Sequence, residues 1–145
     1  MQPRGIRNNN PGNIRWGDGW QGLVAPHMRT DKDFCQFTEP CFGIRAICRI
    51  LLNYGSKTGQ PGIGAPGIDT VREIISRWAP PNENDTEAYI AGVARALDVH
   101  PNAHIDITEP RIMRGLAVSI IRHENGQQPY SPALIDNAMR MAGIV

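Results

Sequence analysis

Glu124 is the residue of this chain whose position most invites chemistry. It follows Met113, Ala117 and Ile120 by eleven, seven and four residues, so a helix through this segment carries all four on one face. At the last turn of that helix the carboxylate also stands near the negative end of the macrodipole, and apolar surroundings and dipole alike favour the protonated acid. A general acid working near neutral pH needs that environment, because it must still hold a proton to give to a leaving oxygen. The alternative is an exposed helix-end glutamate paired with Arg122 or Arg140.

Other reactive groups point less far. His100 and His104, with Asp106 following, are three potential zinc ligands, but Pro101 interrupts any continuous helix there. His123-Glu124 lacks the second histidine of a zinc-protease helix, so neither a metal nor a cofactor is expected. Cys35, Cys41 and Cys48 form no Cys-x-x-Cys pair and are odd in number, which argues against a disulfide framework. Cys48 falls on an apolar helix face close in sequence to Phe42 and Ile44, the setting of an inert core thiol.

The elements that must position these groups follow from the residue pattern. Up to about residue 37, turn formers such as Pro11, Gly12, Gly17, Gly19 and Gly22 separate the short segments 13–16 and 34–37, which predicts a small β-hairpin region. The remainder reads as about five helices. Thr38 with Pro40 in the first turn opens a helix to about Tyr54, with apolar residues at 42, 46, 47, 50, 51 and 54. Residues 55 to 68 contain five glycines and two prolines and predict a loop or cleft wall. Thr70 and Glu73 stand in capping-box register before Val71, Ile74, Ile75 and Trp78, and Pro80-Pro81 ends that helix. A third helix starts near Asp85-Thr86 and carries Tyr89, Ile90, Val93 and Leu97 on its apolar side. The fourth opens with Thr108 as N-cap and Pro110 in the first turn and closes at Gly126; the last runs from Ser131-Pro132 to Gly143.

Composition bounds the rest. The chain has 145 residues, 41% hydrophobic and 20% charged, with a formal net charge of +1, as expected for one soluble domain over 1–145. At this size a single core buries roughly 70% of the surface that the unfolded chain exposes. No apolar run approaches the roughly 20 residues of a membrane span, and MQPRGIRNNN lacks the apolar stretch of a signal peptide. Synthesis in the cytoplasm, no membrane insertion and a monomer are therefore expected. Thirteen arginines and two lysines are nearly cancelled by 14 carboxylates, which argues against a nucleic-acid partner.

The segment Ile120-Ile121-Arg122-His123-Glu124-Asn125-Gly126-Gln127-Gln128-Pro129-Tyr130-Ser131 resembles the surroundings of the catalytic glutamate in lytic transglycosylases of the lysozyme superfamily. That family has an apolar helix, then Glu-Ser-Gly and a polar, proline-containing turn; here Asn125 replaces the Ser. Ile75-Ser76-Arg77-Trp78-Ala79-Pro80-Pro81 and Glu83-Asn84-Asp85-Thr86-Glu87-Ala88-Tyr89 look like its Tyr-Asn-Ala-Gly segment and Glu-Thr-x-x-Tyr-Val helix. Thr86 and Tyr89 match the family's Thr and its cleft Tyr, whereas Trp78 replaces a Tyr and the Gly is missing. The opening RGIRNNNPGNIRWG is similar to phage and prophage proteins, some virion-associated, and more loosely to a hairpin of flagellar-type glucosaminidases. In those relatives the hairpin follows the glutamate, whereas here it precedes it. The resemblance thus implies a circularly permuted lysozyme-like domain, mainly α with a small β region, whose two ends lie close together.

The same resemblance implies a substrate, the bond between N-acetylmuramic acid and N-acetylglucosamine in peptidoglycan glycan strands. It also implies a lysin that acts on the cell wall, either passing through holin lesions or travelling in the virion beside other virion proteins. Glu124 and Tyr89 become its catalytic residues, and Asn9, Asn10, Asn13, Arg15, Trp78 and Thr86 its substrate contacts. Amide and guanidinium donors suit N-acetyl and lactyl groups, and Trp16 or Trp20 suits a sugar face, although asparagines also build polar turns. Trp78 and Tyr89 equally fit a core at their helical spacing. Most glycosidases use two carboxylates, about 5 to 5.5 Å apart when retaining and about 6.5 to 9.5 Å when inverting. Asp18, Asp31, Asp33 and Glu39 are the candidates for a second, each also explained as a solvated loop residue. Lytic transglycosylases need only one Glu, which donates a proton and later recovers one while a 1,6-anhydro sugar forms. A non-catalytic wall-binding or virion protein of the same fold is the alternative class.

Overall fold

The structure, a computed structural model, describes residues 2–55, 67–81 and 84–144. Among these it forms α1 (Arg4–Arg7), α2 (Pro40–Tyr54), α3 (Val71–Trp78), α4 (Thr86–Leu97), α5 (Pro110–Asn125) and α6 (Pro132–Met141), with a 3-10 turn at Pro26–Met28. The protein is mainly α. Most of the glycine-rich stretch expected as a loop, residues 56–66, lies outside the described residues, as does Glu83. None of the described helices is long and apolar enough to cross a membrane.

The N-terminal region departs from the hairpin that the sequence predicts. It opens with the one-turn α1, and in place of extended strands it has isolated antiparallel bridges, Arg15 with Phe34 and Leu23 with Phe37. Asparagine side chains supply much of the remaining cohesion. The Asn10 amide bonds to both backbone groups of Ile14, accepting from its N–H at 3.0 Å and donating to its carbonyl at 2.9 Å, and donates again to the Cys35 carbonyl at 3.0 Å.

The chain divides into two compact units, residues 1–49 with 120–145, and residues 50–119. In the first, Cys35, Phe37 and Ala46 are buried together with Ile14, Trp16, Trp20, Leu23 and Phe42 packed against them. Ile120 and Ile121 of α5 and Ile135, Ala138 and Met139 of α6 are buried as well. The Arg49 guanidinium donates to the Ala142 carbonyl at 3.0 Å, tying α2 to the end of α6. Ser131 caps α6 as expected, accepting from the Leu134 N–H. The three cysteines are free thiols; burial raises the Cys35 thiol and pushes that of Cys48 up to about 12.

In the second unit α3 packs on α4, with Val71, Ile74 and Ile75 buried on one helix and Tyr89, Ile90, Val93 and Leu97 on the other. Thr70 and Glu73 make the expected capping box, and Asp85 caps α4 by accepting from the Ala88 N–H. Helix α4 ends on Asp98 at φ 55, a left-handed residue that a short polar side chain tolerates. Two helices begin later than their threonines suggest. Both α2 and α5 follow a Thr-Glu-Pro triplet and start at the proline, Pro40 and Pro110, because proline favours the first helical position. Thr38 and Thr108 therefore stand two residues before the helices they were expected to cap.

Candidate active site at the end of α5

The stripe that singles out Glu124 is present as expected: Met113, Ala117 and Ile120 on α5 are fully buried, and Glu124 one turn beyond Ile120 is partly buried. Gly126 stops the helix just after it, at φ +73, where its N–H bonds to the Arg122 carbonyl at 2.8 Å. Asn13, 111 residues earlier, donates from Nδ2 to Glu124 Oε1 at 3.2 Å. The structure thus joins two of the residues that the sequence nominates from opposite ends of the chain.

Three features hold Asn13 in place. The Asn13 N–H bonds to the Asn10 carbonyl at 3.0 Å, closing a turn with Pro11 and Gly12 at its centre, and Asn13 itself adopts φ 52. Asn125, next to Glu124 and only 8% exposed, donates to the Pro11 carbonyl at 2.8 Å and to the Ile121 carbonyl at 2.9 Å. Gly5 of α1 closes the third side. A Cβ there would lie 2.5 Å from Asn125 Oδ1 and 2.9 Å from both Asn13 Oδ1 and the Asn10 carbonyl. Asn13 Oδ1 and Asn125 Oδ1 are buried without a hydrogen-bond donor among the described residues, and both crowd the space where a Cβ on Gly5 would stand.

The other nominated residues have different surroundings. Asn9 donates to the Phe37 carbonyl at 3.1 Å, and Asn10 is completely buried, so its amide bonds hold the loop together. The Arg15 guanidinium lies 4.8 Å from the centre of the Phe34 ring, which Arg4 approaches at 4.5 Å. Trp16 donates from its indole to the Asp31 carbonyl at 2.6 Å and carries Arg29 over its ring at 4.2 Å. With Arg29, Thr30, Asp31 and Lys32 it lines an open depression of about 390 Å³. Trp78, Thr86 and Tyr89 belong to the second unit. There Thr86 donates to the Ala79 carbonyl at 2.7 Å, Trp78 is half-buried, and Tyr89 is fully buried beside Ile90 and Val93.

Among the candidate second carboxylates, Asp31 is fully engaged. It takes two bonds from Arg4 at 2.7 and 2.6 Å, one from Asn8 at 2.9 Å and one each from the Asp33 and Phe34 N–H groups at 3.0 Å. The Arg4 guanidinium above all, with those other donors and against the opposing effect of burial, holds its carboxyl well below the usual carboxylate range. Asp33 shares Arg4 at 3.4 Å, while Asp18 and Glu39 are exposed. Of the would-be zinc ligands, His100 accepts from the Asn102 N–H, His104 bonds to Asp69 at 2.8 Å and Asp106 accepts from Thr108. Among the described residues no group of three or more metal-ligating side chains is assembled.

Sequence reasoning missed Asn125 and Gly5 as parts of this site. Asn125 was visible as a departure from the Glu-Ser-Gly pattern, but its two carbonyl partners are set by the tertiary fold. Tyr130, six residues beyond Glu124, carries a buried polar group that sequence reasoning did not single out. Its hydroxyl is buried, with a proton retained up to about 12 through burial, while Gln128 bonds to both its backbone groups.

These features define a class: a mainly α-helical protein whose asparagine-rich N-terminal loop is fastened to a partly buried carboxylate at a helix end. No family model matches the chain. It is 40% identical over 133 residues to Protein P5 of Pseudoalteromonas phage PM2, an alignment that spans 88% of this chain and 74% of that protein. The chain belongs to the family of that phage protein.

Proposed function

We propose that this protein is a peptidoglycan-degrading glycosidase of phage type, a lytic transglycosylase in which Glu124 is both acid and base. The observation that carries this reading is the Asn13–Glu124 contact at the end of the apolar stripe of α5. It joins the segment that resembles the surroundings of the family's catalytic glutamate to the N-terminal segment that more loosely resembles a glucosaminidase hairpin. That both chain ends fall in one compact unit suits a circularly permuted lysozyme-like domain, and the phage relative suits a lysin that reaches the wall through holin lesions or inside a virion.

In the first step the Glu124 carboxyl gives its proton to the glycosidic oxygen as the bond from that oxygen to the muramyl C1 breaks. In the second the carboxylate takes the proton of the muramyl C6 hydroxyl while that oxygen closes on C1. The products are a 1,6-anhydro sugar and a shortened strand, with Glu124 protonated again. The engagement of Asp31 by five donors favours this single-carboxylate route over one that enlists Asp31 as nucleophile or base.

Mass spectrometry of fragments released from purified peptidoglycan tests the proposal. Anhydromuropeptides from the wild type, with a loss of at least 100-fold in Glu124→Gln, are expected, since amide for acid keeps the shape but removes both the transferable proton and the basic carboxylate. Reducing-end fragments would indicate a hydrolase instead. No fragments, with retention on sacculi, would indicate a wall-binding protein.

A further inference from the structure

The geometry points to Asn13 as a positioning residue for Glu124, in place of the sugar contact that its residue type suggests; this inference rests on the glycosidase reading above. The Asn13 Nδ2 that faces Oε1 at 3.2 Å carries only hydrogens, so it requires a lone pair from that oxygen. The reverse orientation would set Asn13 Oδ1 against the carboxylate oxygen of the ionised form, and in the acid it would require the proton to sit on Oε1. Held this way, Oε1 remains an acceptor, and the transferable proton is assigned to Oε2. A carboxyl with two equivalent oxygens becomes one with a defined acidic oxygen.

That assignment serves both steps. Oε2–H gives its proton to the glycosidic oxygen as the bond to C1 breaks, and Oε2 takes a proton back from the muramyl hydroxyl as the new oxygen–C1 bond forms. Asn13 gains and loses nothing; it fixes the carboxyl plane throughout. It is suited to this because its own freedom is restricted by the turn from Asn10, by the Asn125 bond to the Pro11 carbonyl and by the close approach of Gly5 to its Oδ1. A side chain so confined between protein groups is better placed to orient a neighbour than to adapt to a ligand.

Two substitutions keep the left-handed backbone at φ 52 unstrained: Asn13→Gly removes the donor, and Asn13→Asp preserves the shape while replacing the donor with an acceptor. Release of anhydro products from solubilised glycan strands is measured for each, together with the thermal midpoint. The expected result is a kcat lower by roughly 10- to 100-fold with KM within about twofold of the wild type. In parallel, the side-chain amide resonances of Asn13, assigned by their loss in Asn13→Gly, are followed in Glu124→Ala; one amide proton is expected to shift when its acceptor goes. A raised KM with unchanged kcat would make Asn13 a substrate contact and overturn the assignment, as would amide resonances indifferent to Glu124→Ala. A wild type that releases no product would instead overturn the glycosidase reading, a result distinct from either.

Discussion

At Gly5 two effects of opposite sign compete. Alanine within a helix is favoured over glycine by about 0.5–1 kcal/mol, and Gly5 lies in α1. Its added methyl, however, would meet Asn125 Oδ1 at 2.5 Å and Asn13 Oδ1 and the Asn10 carbonyl at 2.9 Å. One of these oxygens is backbone, and the other two belong to amides whose nitrogens are already committed to partners. Relief requires the loop to move, at a cost of about 1–3 kcal/mol. The clash wins, so Gly5→Ala is expected to lower stability by about 1–2 kcal/mol in urea unfolding and, under the proposed function, to reduce peptidoglycan release with it. A variant as stable as the wild type would show that the loop yields easily and does not hold Glu124. These residues also mark how far composition reads. Glu124 was legible because helical period alone places it on the stripe of Met113, Ala117 and Ile120. The asparagines were not, because an amide donates equally well to a sugar, a carboxylate or a carbonyl, and only the fold selects the partner.

Helix ends give a sharper comparison, since a cap is a local interaction between residues close in sequence. Thr70 with Glu73, Asp85 and Ser131 each do what their spacing indicates. Thr38 and Thr108 do not, because the proline two residues on takes the first helical position and leaves Glu39 and Glu109 just before it. Asp85→Ala should therefore cost about 1 kcal/mol, through loss of the Ala88 N–H bond at 3.2 Å. Thr108→Ala should cost no more than a few tenths, since the exposed hydroxyl only bonds to Asp106 at 2.6 Å. Equal losses in chemical denaturation would return Thr108 to the role of a cap. The N-terminal region was less legible for a related reason. Its turn residues were correctly read as turns, but a hairpin and a set of side-chain-bridged bends have the same turn composition. The choice falls to contacts such as Asn10 with Ile14 and Cys35, which no period reveals.

For the whole molecule, 15 cationic side chains and 14 carboxylates nearly balance at neutral pH, so bulk charge says little about stability until acid removes the carboxylates. Asp31 is held far below its ordinary value of 3.8, by Arg4 first and then by backbone and amide donors. A carboxyl with a depressed folded value contributes stability that is fully present above its unfolded value and is lost as pH falls toward the folded one. The contribution of Asp31 is therefore complete at pH 5 and above and declines below about pH 4. Its contacts join α1, the Asn8 turn and the 31–34 turn, so the loss loosens the region on which the Asn13–Glu124 contact depends. Asp31→Asn keeps the shape but gives up the charge that Arg4 requires. Its melting temperature should lie about 4 °C below that of the wild type at pH 7, with the gap narrowing steadily once pH drops below about 4. Calorimetry of both proteins between pH 2.5 and 7 decides it: a gap that does not change with pH would mean that the ionisation of Asp31 contributes nothing, and a converging pair that its ionised form anchors the N-terminal region.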